Sequence, residues 1–130
     1  MPPLLNAVIS GYVAGDDLTI IENVTSIPVG RSMVKAWLTI KAAREDPDPG
    51  VVQKVITTVA VTGVGQITDD GAGDQTGQLT FILTATDTGT TLTVGKAYYF
   101  DEQIKFDDGS IATLKIGKIS FELGVTAATT

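Results

Sequence analysis

The sequence predicts an all-β protein folded as an antiparallel β-sandwich, and three observations carry that expectation. Apolar residues recur at alternate positions through most of the 130-residue chain, the period of a strand with one buried face. The composition is rich in Thr, Val, Ile and Gly, which favours strands and turns over helices. Glycine, proline and aspartate clusters interrupt the alternating runs at short intervals, the spacing expected of a sandwich or small barrel.

The first strand is expected over 5–13, after Pro2-Pro3 and before the turn Ala14-Gly15-Asp16-Asp17. The second covers 18–26, where Leu18, Ile20 and Val24 share a face that Glu22 interrupts; Pro28 and Gly30 end it. The third covers 34–44, with Val34, Ala36, Leu38, Ile40 and Ala42 alternating with Lys35, Trp37, Thr39 and Lys41. Two prolines and a glycine make Glu45–Gly50 a loop. A fourth, bent strand is expected over 51–61 and a short one at Gln66-Ile67-Thr68.

The fifth main strand, 79–86, turns Leu79, Phe81, Leu83 and Ala85 one way; the sixth and last cover 96–106 and 111–123. No segment has convincing helical periodicity. With about seven main strands and no helix long enough for a crossover, every pairing is expected to be antiparallel. The whole chain, 1–130, reads as one domain, large enough to bury roughly two-thirds of its unfolded surface. Residues 1–4 are expected to form an N-terminal arm, and 127–130 a frayed tail. Leu92, Gly95 and Tyr98 resemble a tyrosine corner, which makes an immunoglobulin-like sandwich the leading architecture.

Charge and residue types narrow the chemistry. The net charge is −6 and the isoelectric point about 4.4, a balance that disfavours nucleic acid and anionic membrane surfaces as partners. The chain lacks His and Cys, so Ser-His and Cys-His dyads and the usual zinc ligand sets are not available. The first basic residue is Arg31, so the N-terminus makes a poor secretory signal, and no apolar run approaches the length of a membrane span. A soluble, unprocessed protein is expected.

Glu22, Glu102 and Glu122 fall on expected strands, but their spacing does not define the paired carboxyls of a glycosidase. The acidic loops Glu45–Asp48 and Asp69–Asp74 lack the EF-hand pattern and suit ordinary turns. Gly63-Val64-Gly65 lacks the third glycine of a dinucleotide loop, and Asn23-Val24-Thr25 is a formal glycosylation sequon on a strand. No catalytic residue, cofactor or metal is expected.

Two residues break the pattern. Glu102 shares parity with Tyr98, Phe100, Ile104 and Phe106, which points a carboxylate inward. The open alternatives are a β-bulge or change of face near Asp101, a buried pair with Lys or Arg, and a functional carboxylate. Trp37 falls on the polar parity of its strand. Either a loop or the N-terminal arm covers it, or it meets a subunit or partner. Ile82 and Tyr99 have comparable outward parity and would extend such a patch, and Leu4 and Leu5 of the apolar N-terminal stretch could pack onto a neighbour.

A longer pattern runs through the second half: Thr88, Leu92, Gly95, Tyr98-Tyr99-Phe100-Asp101, Gln103, Gly109, Thr113-Leu114, Gly117-Lys118-Ile119 and Val125-Thr126. Gly15–Ile20, Ala36–Lys41 and Asp48–Lys54 precede it in matching order. Together these resemble the immunoglobulin-like N-terminal domain of siphophage baseplate upper proteins and related short prophage proteins, over about residues 15 to 126. The chain departs at Glu102, where that pattern usually has an aliphatic residue, and it stops after one domain.

The resemblance implies a non-enzymatic virion protein, made in the bacterial host cytoplasm, that packs against its own copies or other virion proteins. Baseplate or tail adaptor, neck and capsid decoration subunit all fit it. Rotational symmetry in virions makes a homo-oligomer the expected state. The competing expectation is a carbohydrate-binding or adhesin-like module stacking Trp37, Tyr98 or Tyr99 on sugar rings.

Overall fold

The computed structural model describes residues 3–124. Eight strands follow in order: β1 (Leu4–Val13), β2 (Leu18–Val24), β3 (Met33–Lys41), β4 (Val52–Ile56), β5 (Gly65–Asp69), β6 (Gly77–Leu83), β7 (Tyr98–Phe106) and β8 (Ile111–Glu122). They form two packed sheets, β1-β8-β7-β3-β4 and β2-β6-β5. In immunoglobulin terms β8, β7, β3 and β4 follow the G-F-C-C′ order and β2, β6 and β5 the B-E-D order.

Alternation decides what lies between the sheets. On β2, β6 and β7 every second side chain is buried, and Leu18, Ile20, Val24, Leu79, Phe81, Leu83, Phe100 and Ile104 meet there in one continuous core. Met33, Ala36, Leu38 and Ile40 of β3 complete it, each without solvent exposure. Tyr98 is buried at the start of β7, and its hydroxyl accepts the Thr93 N–H at 2.8 Å. This is the tyrosine-corner bond the sequence predicts, closing the connection from β6 to β7.

Several expectations need correction. β1 pairs with β8 in parallel, so pairing is not wholly antiparallel. Such a pair requires a long intervening chain, and here the rest of the domain provides it. Leu4 is the first residue of β1 opposite Lys115, and Leu5 follows within the strand, so neither belongs to a free arm. β4 stops at Ile56, five residues before the expected end, because Thr57–Ala60 turns and only an isolated bridge joins Val61 to Gly65. A short π-helical turn, Asp87–Thr91, replaces the expected continuation beyond Leu83. The predicted fraying tail, Ala127–Thr130, lies outside the described residues.

The two sheets are unequal, and the excess falls at β1. Ala7 and Ile9 pack against the core, while Leu4, Leu5, Val8 and Tyr12 stay exposed. Clefts of about 280 and 360 Å3 lie along this side. The first is lined by Ile9, Tyr12, Ile20 and Glu22, and the second by Leu4, Glu22, Leu114 and Lys115. One edge strand of each sheet, β1 and β2, borders this seam.

Candidate functional site

Trp37 and Tyr99 emerge on the outer face of the five-stranded sheet, as their parities predict. Trp37 sits between Val55 of β4 and Gln103 of β7, half-buried by these cross-strand neighbours. Lys35, two residues earlier on the same face, places its Nζ 5.3 Å from the indole centroid. The described N-terminal residues do not supply that cover, since β1 lies at the far edge, beyond β7 and β8.

Tyr99 is flanked by Lys41 of β3 and Lys118 of β8. Arg44 lies 4.9 Å and Lys118 5.7 Å from its ring centroid, so cations border both aromatics on this face. Trp37 and Tyr99 are separated by four residues along the strands, roughly 13 Å.

Between them the surface is polar. Gln53 donates to Thr39 Oγ1 at 3.1 Å, and Lys41 pairs with Asp48 at 2.9 Å. Burial pushes the Asp101 carboxyl above its usual range; Lys41 opposes that shift and Asp48 adds to it. Two shallow depressions of about 210 and 310 Å3 share Thr39, Lys41 and Asp101. The face can bury aromatic area against a partner and offer fixed polar contacts around it.

The other predicted interface residues lie elsewhere. Ile82 is on β6, on the outer face of the three-stranded sheet, near Val61 and Thr80. Because Trp37 and Ile82 point away from the core on opposite sheets, they cannot form one patch. Parity reports inward or outward but not which sheet a strand joins. Leu4 and Leu5, 55% and 58% exposed, belong to the β1 edge with Val8, 70% exposed. Tyr98, offered above as a sugar-stacking ring, is buried and engaged by Thr93.

Glu102 faces inward and is wholly buried. A bulge does occur beside it, but on β8: Glu102 pairs with Lys115 and Gln103 with Thr113, leaving Leu114 as the extra residue. The bulge leaves the face of Glu102 unchanged and instead turns Lys115 into the sandwich. There Lys115 Nζ bonds Glu22 Oε2, and Glu22 is itself buried on β2. Sequence reasoning missed this pairing. Glu22 has the inward parity of Leu18, Ile20 and Val24, a visible signal; the bulge that delivers Lys115 has none. Glu122 is exposed at the end of β8, away from this pair.

The acidic loops use their carboxylates internally. Asp46 accepts the Ala43 N–H, while Asp69, Asp70 and Asp74 each accept an N–H two residues ahead. No three metal-ligating side chains converge among the described residues. No helix among them is long and apolar enough to cross a membrane. No protein-family model, curated protein or solved structure matches the chain.

Proposed function

We propose that this protein is a non-enzymatic bacteriophage virion component, a baseplate or tail adaptor, neck or capsid decoration subunit that works by packing against other subunits. The observation that carries the packing role is β1. It has ten residues and no charged side chain, lies on a free sheet edge, and leaves Leu4, Leu5, Val8 and Tyr12 exposed. Long apolar edges invite pairing with another chain, and small monomers normally blunt them. The virion assignment rests on the ordered resemblance across residues 15 to 126.

Light scattering tests the packing role. The parent chain is expected to run as a homo-oligomer, and Leu5→Lys with Val8→Lys to shift it toward monomer while leaving the β-sheet circular dichroism intact. A parent that remains monomeric at high concentration would sink the self-packing role. Genomic neighbourhood tests the virion assignment: terminase, portal and tape-measure genes are expected alongside. A setting of sugar-utilisation or surface-export genes would favour the carbohydrate reading, for which Trp37 and Tyr99 supply aromatics on one face. A glycan panel that quenches Trp37 fluorescence would then identify the ligand.

A further inference from the structure

Glu102 occupies an inward position on β7 between Leu38 of β3 and Lys115 of β8. It has no solvent exposure, and as a carboxylate neither oxygen has a hydrogen-bond donor. A buried carboxylate left in that state is costly. The facing sheet adds Glu22, whose carboxylate is bonded to Lys115. Two carboxylates therefore face one ammonium in the interior, and it is bonded to Glu22 alone.

Among the described residues the other surroundings supply no counter-charge. Leu38 lies across on β3, Leu79 beside Glu22 on β6, and Leu4 beside Lys115 on β1. Asp101, next in the chain, points to the opposite face and is also acidic. Lys41, near Asp101, belongs to that outer face. One proton on the carboxylate pair makes the trio neutral and changes its bonding. Protonated Glu102 becomes a donor, and the Glu22 carboxylate beside it is the acceptor.

We propose that Glu22, Glu102 and Lys115 form a proton-operated latch that holds the two sheets together and loosens the seam between β1 and β2 when base removes its proton. Burial, then the Glu22 charge, pushes the Glu102 carboxyl up to about 8, with Lys115 pulling the other way. Loss of the proton places like charges on facing sheets, and of the three strands that carry the trio β2 is the one with a single neighbour. It forms a sheet edge and, among the described residues, pairs only with β6. The cleft lined by Leu4, Glu22, Leu114 and Lys115 brings water to Glu22 and Lys115 from this side. The latch goes beyond the packing role and stands without it.

Carbon-13 NMR of the intact chain, labelled at glutamate carboxyls and titrated from about pH 5 to 10, tests the latch. Glu102 is expected to titrate at least 2 pH units above an ordinary glutamate. Amide signals of β1 and β2 should move with the same midpoint. In Glu102→Gln, which keeps the shape and a neutral donor, those amide movements should disappear. A Glu102 midpoint in the ordinary range overturns the proposal, as does a high midpoint with β1 and β2 unmoved, or unchanged amide movements in the variant. If Glu102→Gln does not fold, the carboxyl and amide titrations of the parent chain decide alone.

Discussion

At the scale of single residues, Glu102 ties stability to pH in a direction opposite to most acidic groups. Its folded-state carboxyl holds its proton up to about 8, whereas in the unfolded chain it ionises near 4.5. The folded state therefore binds the proton more tightly. Its contribution is full below about pH 4.5, falls as pH rises toward 8, and is flat beyond. Glu102→Gln lacks this titration. The Tm of that variant minus the Tm of the parent is expected to widen from pH 5 to 8 and then level off, reaching roughly 5–10 °C. Thermal melts across that range check it, and a difference independent of pH would refute it. The inward direction of Glu102 was legible in its parity with Phe100 and Ile104. The environment it meets was not, because Glu22 comes from a distant strand and Lys115, although on the next strand, is set opposite Glu102 by a bulge.

Two elements show what local pattern can and cannot specify. The π-helical turn Asp87–Thr91 is pinned to the β1–β2 connection by Thr88, whose Oγ1 accepts the Gly15 N–H at 3.0 Å and donates to the Asp16 carbonyl at 2.7 Å. Asp87 meets Lys54 at 2.8 Å; burial opposes its charge, but bonds from Lys54 and Thr84 hold its carboxyl below the usual range. Thr88→Val keeps the volume and removes both hydroxyl bonds. A loss of about 1–3 kcal/mol is expected, read as a lower urea midpoint. Residues Thr84 to Thr91 lack an apolar stripe of helical period, so this turn could not be read from hydrophobic pattern.

β1 poses the complementary case, since alternation marks it as a strand but says nothing about its partner. Gly117 decides how closely that partner approaches: a Cβ there would collide with the Ala7 backbone carbonyl. Gly117→Val is expected to detach β1 and speed hydrogen exchange from Ala7 to Ile9 while β3 and β7 remain protected. Uniform protection in the variant would count against this account of the edge.

For the whole molecule, the sandwich was legible because β2, β3, β6 and β7 each have one mainly apolar face, which Glu22 interrupts on β2 and Glu102 on β7. The parallel β1–β8 pair and the division of Trp37 and Ile82 between opposite sheets were not, since both depend on contacts between distant segments. Charge also acts at this scale. With a net charge of −6, copies of the chain repel over most approaches, whereas β1 itself is uncharged. Added salt is therefore expected to strengthen self-association, with a higher average mass by light scattering at 0.5 M NaCl than at 0.05 M. A fall in mass with salt would place ion pairs, not the apolar edge, at the contact.

The parallel pairing of the first strand with the last also has a consequence for synthesis. A ribosome releases each residue of β1 more than a hundred residues before its partner on β8, which among the described residues is its only strand partner. During that interval Leu4, Leu5, Val8 and Ile9 have no native sheet to join, while β2 to β6 can already meet one another. The apolar edge is thus longest unprotected in the nascent chain, where neighbouring chains on the same message compete with β8 for it.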